Sequence, residues 1–90
     1  MASGKSIRQR WKEEGFKIKL THKYDSEYGY DVVYKGKTYI VDIHKFRGFW
    51  ITMVLGPDGK AVLPKQRINQ KGLAFLASMQ AIKKHLGLIT

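Results

Sequence analysis

Two aromatic-rich strand patterns, separated by one tight hinge, constrain this chain more than any other feature. Gly36 to Lys60 reads GKTYIVDIHKFRGFWITMVLGPDGK, with Phe46-Arg47-Gly48 between the runs and Gly56-Pro57-Asp58-Gly59 closing the second. A period of two is the mark of a strand, because successive side chains point to opposite faces of a sheet. Thr38 to Phe46 sets Tyr39, Val41 and Ile43 on one side and Ile40, Asp42, His44 and Phe46 on the other, so neither face is cleanly polar. Phe49 to Leu55 is almost wholly apolar or aromatic, which predicts a central strand buried on one face and covered by a ligand or partner on the other.

The flanking sequence extends this sheet. Ser6-Ile7-Arg8-Gln9 reads as a capping box opening a short helix that ends near Gly15. From Phe16 the period becomes two: Phe16, Ile18, Leu20, His22 and Tyr24 alternate with Lys17, Lys19, Thr21 and Lys23, predicting one apolar and one basic face. Asp25 to Gly29 reads as a turn, Tyr30 to Tyr34 as a short strand, and Lys35-Gly36-Lys37 as a tight connection into the next. After the Gly-Pro-Asp-Gly turn, Lys60 to Leu63 makes a short strand that Pro64 interrupts, with an edge piece around Gln66 to Ile68. The last segment is the clearest helix, with Asn69 as N-cap and Gly87 just past its end. Its stripe of Leu73, Phe75, Leu76, Met79, Ile82 and Leu86 is wider than one side of a small sheet requires, which predicts packing on a second protomer. The fold class expected is α+β: a curved antiparallel sheet of four to five strands with one long C-terminal helix, homodimeric.

Ninety residues make one compact unit, and a chain this short buries only roughly 60 to 65% of its unfolded surface. With no cysteine, disulfides and thiolate metal sites are excluded as staples, leaving an intracellular location as the default. No apolar run approaches the roughly 20 residues of a membrane span, and the N-terminus lacks the apolar core of a signal peptide. Seventeen Lys and Arg against seven Asp and Glu give a formal net charge of +10, which favours a polyanionic partner. The acidic break at Asp25, Glu27 and Asp31 separates two basic regions, and repulsion of phosphate predicts that it lies off the binding surface.

Rings beside cations on a sheet suit single-stranded nucleic acid, because bases stack on rings while phosphates meet Lys and Arg. Phe46 and Trp50 are the candidate stacking residues, with Tyr39 a third. Lys17, Lys19 and Lys23 align along one strand at a spacing of roughly 6.6 Å, near a phosphate repeat. Catalysis finds little support. Asp42 and His44 share a strand face, but two ligands without a partnering acid are usually structural; His22 and His85 have no partners assigned. Gly4-Lys5-Ser6 ends like a phosphate loop without the upstream glycine or strand, which excludes nucleotide hydrolysis. Neither an enzyme, a cofactor nor a metal is expected.

The order of these elements resembles the single-stranded-DNA-binding domain of the transcriptional coactivator positive cofactor four, over about Gly36 to Leu86. Gly36-Lys37 opens a strand, Phe46-Arg47-Gly48 joins two, Pro57-Asp58-Gly59 makes the next turn, and Lys65-Gln66-Arg67-Ile68 runs toward the helix at Asn69. The resemblance implies a dimer whose paired sheets form channels for DNA, with phage-encoded members serving replication and recombination. It assigns Lys37 to a basic strand position facing DNA, Phe46 to the stacking aromatic, Arg47 to the cation beside it, and Lys65 and Arg67 to the basic strand before the helix. Phe49 stands where the family usually has Lys, and His44 where it has Arg. The chain is also shorter between Leu55 and Gly56, which removes the family's second stacking Trp; Trp50 would compensate from a different point.

The domains expected are therefore a basic N-terminal extension at 1–35 and a DNA-binding sheet with dimerisation helix at 36–90. The function expected is sequence-nonspecific binding of single-stranded DNA in replication, recombination or transcription, in a nucleoid or in host cytoplasm if the source is bacterial or phage. The alternatives are a small basic protein that binds or inhibits another protein, and an RNA-binding domain.

Overall fold

The computed structural model describes residues 7–88, so the capping box expected to begin at Ser6 lies partly outside the described residues. The chain forms α1 (Ile7–Glu13), β1 (Lys17–Tyr24), β2 (Glu27–Tyr34), β3 (Lys37–Phe46), β4 (Phe49–Leu55), β5 (Ala61–Ile68) and α2 (Lys71–His85). The five strands make one open antiparallel sheet in sequence order, and the class is α+β as expected.

Consecutive pairing follows from the turns. The first three hairpins each have two loop residues, since Tyr24 pairs with Glu27, Tyr34 with Lys37 and Phe46 with Phe49. Lys35-Gly36 and Arg47-Gly48 both carry positive φ at both positions, the combination whose twist matches that of the flanking strands. Asp25 is also left-handed, at φ 50°, and this tight turn lets β2 begin at Glu27 rather than at Tyr30. In the fourth connection, Asp58 Oδ1 accepts from the Lys60 N–H at 3.0 Å and Gly59 takes φ 82°.

One face of the sheet carries the core. Tyr30 and Val32 of β2, Tyr39, Val41 and Ile43 of β3, and Val54 of β4 pack beneath Ala74, Phe75, Met79 and Ile82 of α2. These helix residues recur at three and four positions, which aligns them on one side. Leu73 and Leu76 lie outside that stripe and are exposed. The buried Thr52 and Ser78 hydroxyls are paired: Ser78 Oγ donates to the Ala74 carbonyl at 2.8 Å, so Thr52 Oγ1 donates to Ser78 Oγ at 2.7 Å. Gln70, not Asn69, occupies the N-cap and makes no side-chain capping bond. At the other end, Leu88 N–H reaches the Lys83 carbonyl and Gly87 N–H the Lys84 carbonyl, with Gly87 left-handed at φ 77°. That is a Schellman cap, and it ends the helix where the glycine predicts.

The boundary expected at 35/36 falls inside the β2–β3 turn, between two fully paired strands. Trp11 and Phe16 belong to the same core as Phe75 and Ile82: Trp11 meets Phe75 at a centroid distance of 5.2 Å, and Phe16 stacks on Tyr34 at 3.8 Å. Lys83 of α2 also pairs with Glu14, just past the end of α1. Residues 7–34 are thus part of the sheet and its core rather than an appended arm.

Two irregularities shape the edges. In β1 the register shifts between Leu20 and His22, a bulge that reverses the facing of every later residue of the strand. In β5 the expected break at Pro64 is absent, and the strand runs through it with register shifts opposite Thr52–Leu55. An edge strand tolerates that proline.

Candidate nucleic-acid interface

Strand register distributes the candidate residues between two faces, here called the helix face and the open face. Lys17 and Lys19 align with Val33 and Asp31 on the open face, whereas the bulge turns Lys23 to the helix face opposite Tyr28. The expected basic trio is therefore split, and His22 and Tyr24 move to the open face instead of the apolar one. Glu27 and Asp31 pair with His44 and Ile40, so two of the three acidic residues expected off the surface lie on the open face.

Tyr39 is fully buried and cannot stack on a base; its hydroxyl lies 3.0 Å from His85 Nδ1, which also supplies the partner that His85 lacked. Burial pushes the Tyr39 phenol above its usual pKa. Lys37 is exposed at the far end of β3, away from the β3–β4 turn. Lys65 is exposed on the edge strand β5.

The remaining candidates converge at the end of the sheet formed by the β3–β4 turn. Phe46 and Phe49 pair directly across the turn and are 53% and 42% exposed. The Arg47 guanidinium lies 5.3 Å from the Phe46 ring centroid, and that of Arg67 lies 5.1 Å from Phe49. These are cation–π distances, and they leave each ring beside a donor suited to phosphate. His44 is two residues before Phe46 on the same face and half-buried.

Trp50 belongs to the other face. It pairs with Lys45 and Ile68, and its ring meets Tyr28 at a centroid distance of 6.3 Å. Half-buried, it is neither pure core nor part of the Phe46 platform. Cations surround this second pair of rings: Lys45 Nζ is 5.9 Å and Lys71 Nζ 5.6 Å from Trp50, while Lys23 and Lys71 are 5.8 and 3.6 Å from Tyr28. Lys23, Lys45, Arg47, Arg67 and Lys71 thus crowd one end of the sheet around four rings. Lys71 begins α2, whose first turn carries no acidic residue, so the positive end of the helix dipole adds to theirs.

Sequence reasoning missed Tyr28, Lys45, Phe49 and Lys71 as site residues. A lysine opening a helix, where its charge opposes the dipole, was the available signal for Lys71. Arg47 carried another, because a left-handed turn residue before Gly is ordinarily Asn or Asp. Replacing it, Arg47→Asn, is expected to stabilise the protein by about 0.5–1 kcal/mol in urea unfolding through relief of the left-handed backbone. The same variant should bind oligo-dT more weakly, so stability and affinity should move in opposite directions.

The fold and this end of the sheet define a class, a small basic α+β protein with one face of its sheet uncovered. No protein-family model, curated protein or solved structure matches the chain. Among the described residues, no helix is long and apolar enough to cross a membrane.

Proposed function

We propose that this chain binds single-stranded DNA without strong sequence preference, at the β3–β4 end of the sheet. The observation that carries the reading is the set of four accessible or half-accessible rings, Phe46, Phe49, Tyr28 and Trp50, each with at least one Lys or Arg over it. Stacking accepts any base, because every base has a π-face, while the cations accept phosphate irrespective of sequence. Selective binding of single strands shifts a duplex toward opening, the service that replication, recombination and transcription all require. In this reading the chain acts as proteins of the positive cofactor four family do, by positioning and electrostatics rather than catalysis. A homodimer would be built on the exposed Leu73 and Leu76 of α2.

Titration with oligo-dT tests the proposal through quenching of Trp50. If the five clustered cations each displace one counterion, log K should fall with log salt at a slope of about −3.5, from roughly −0.7 per contact for single strands. Affinity for duplex DNA should be lower. A slope near zero, or equal affinity for duplex and single strand, would overturn the reading. The exposed Ile40 beside Leu55 on the open face favours a second reading, a protein partner docked there. Its signature is a captured partner that survives nuclease treatment.

A further inference from the structure

The open face holds a cluster of side chains of which only His44 was among the nucleic-acid candidates. Three adjacent strands supply it in two neighbouring rows: His22 aligns with Gly29 and Asp42, and Tyr24 aligns with Glu27 and His44. One ligand-capable atom from each of His22, Glu27 and Asp42 lies within 4.8 Å of the other two. His44 Nδ1 adds a fourth, 3.8 Å from Asp42 Oδ2. The set is two imidazoles and two carboxylates drawn from two short stretches of the chain, 22–27 and 42–44.

Three observations separate this cluster from an ordinary surface group of charges. Asp42 Oδ1 and His44 Nδ1 are both buried from solvent and, among the described residues, have no hydrogen-bond partner. An unpaired buried polar atom is costly, and a ligand that supplies the missing partner recovers that cost. Next, Glu27 and Asp42 bring carboxylate oxygens within 4.8 Å of each other and of the His22 ring, a spacing one cation placed between them would bridge. Finally, the strand residue between the histidine and the aspartate is a glycine. A Cβ at Gly29 would fall within the His22 imidazole, so its absence lets that ring lie across β2 toward Asp42. Gly29 needs no positive φ, and its missing side chain therefore serves the ring rather than the backbone.

We propose that His22, Glu27, Asp42 and His44 form a binding site for one divalent transition-metal ion of the zinc class. Imidazole nitrogen with carboxylate oxygen suits Zn²⁺, Co²⁺ or Mn²⁺, whereas Ca²⁺ and Mg²⁺ take oxygen ligands. The dication neutralises the two carboxylates and gives both orphaned atoms a partner. A cleft of about 450 Å³, lined by Tyr24, Asp25, Ser26, Glu27, His44 and Lys45, opens beside the cluster and provides the entry path.

The test uses the untagged full chain, stripped with chelator and free of nucleic acid, so that its outcome is independent of DNA binding. Equilibrium dialysis should recover one Zn²⁺ per chain. The Tm should rise by roughly 10 °C at a hundredfold excess over Kd, with little change in Mg²⁺. His22→Ala and Asp42→Asn should each weaken Zn²⁺ binding at least tenfold, and His85→Ala, off the cluster, should not. Gly29→Ala removes no ligand but displaces the His22 ring; it should fold normally and bind Zn²⁺ about tenfold more weakly. Co²⁺ should give a visible d–d spectrum that His22→Ala abolishes. Absence of both a Tm shift and stoichiometric zinc, an equal response to Mg²⁺, or unchanged affinity in Gly29→Ala and Asp42→Asn would overturn the site.

Discussion

Removing both rings at the β3–β4 turn, Phe46→Ala with Phe49→Ala, should cost at least about thirtyfold in affinity for oligo-dT while leaving the fold intact. A stacked base is worth about 1–3 kcal/mol by alanine substitution, so two rings together approach 2–6 kcal/mol when each holds a base. Both side chains are largely exposed and pair with each other at a strand end, so truncating them opens no cavity in the core. The variant retains Arg47 and Arg67, and its salt slope should therefore stay close to that of the parent chain even as the affinity falls. Fluorescence titration at several salt concentrations separates the two quantities. An affinity unchanged by the double substitution would place the binding surface elsewhere.

The second large effect concerns the first third of the chain. Trp11→Ala is expected to destabilise the protein by about 3–5 kcal/mol, the usual cost of truncating a large buried aromatic. Trp11 packs on Phe75 of α2, and its position closes the core beside β1. A fragment containing only residues 36–90 should not fold at all, because it lacks Phe16, Tyr30, Val32 and Tyr34 from the same cluster. Circular dichroism and urea unfolding check both statements. A folded fragment would restore the division into an arm and a binding domain that the resemblance implied.

Much of the fold was legible in the sequence because turn chemistry and periodicity agree. Gly36, Gly48 and Gly59 mark three of the four hairpin connections, and β3 between the first two sets its core residues at every second position. What could not be read depended on register. A single inserted residue near Thr21 turns Lys23 away from Lys17 and Lys19, and the residues on both sides of it still alternate convincingly. Gly29 looked like the end of a turn, yet it sits inside a strand as the floor beneath a histidine. The neighbours of Asp42 come from β1 and β2, so the pair Asp42 and His44 looked incomplete when viewed along β3 alone. Phe46 with Arg47 was found because it is local, whereas the cations around Trp50 arrive from β3 and α2.

The irregular margins of the sheet have a bearing on how the molecule behaves at high concentration. An open sheet offers unsatisfied backbone groups along its outermost strands, and a flat apolar margin would recruit identical molecules into growing ribbons. Here one margin is kinked and lined by lysines, and the other carries Pro64, which has no N–H to donate, followed by Lys65 and Arg67. Like charge and mismatched backbone spacing both discourage end-to-end growth at these margins. Another molecule of any kind is therefore steered to approach the broad surface or the helix, which keeps such encounters finite.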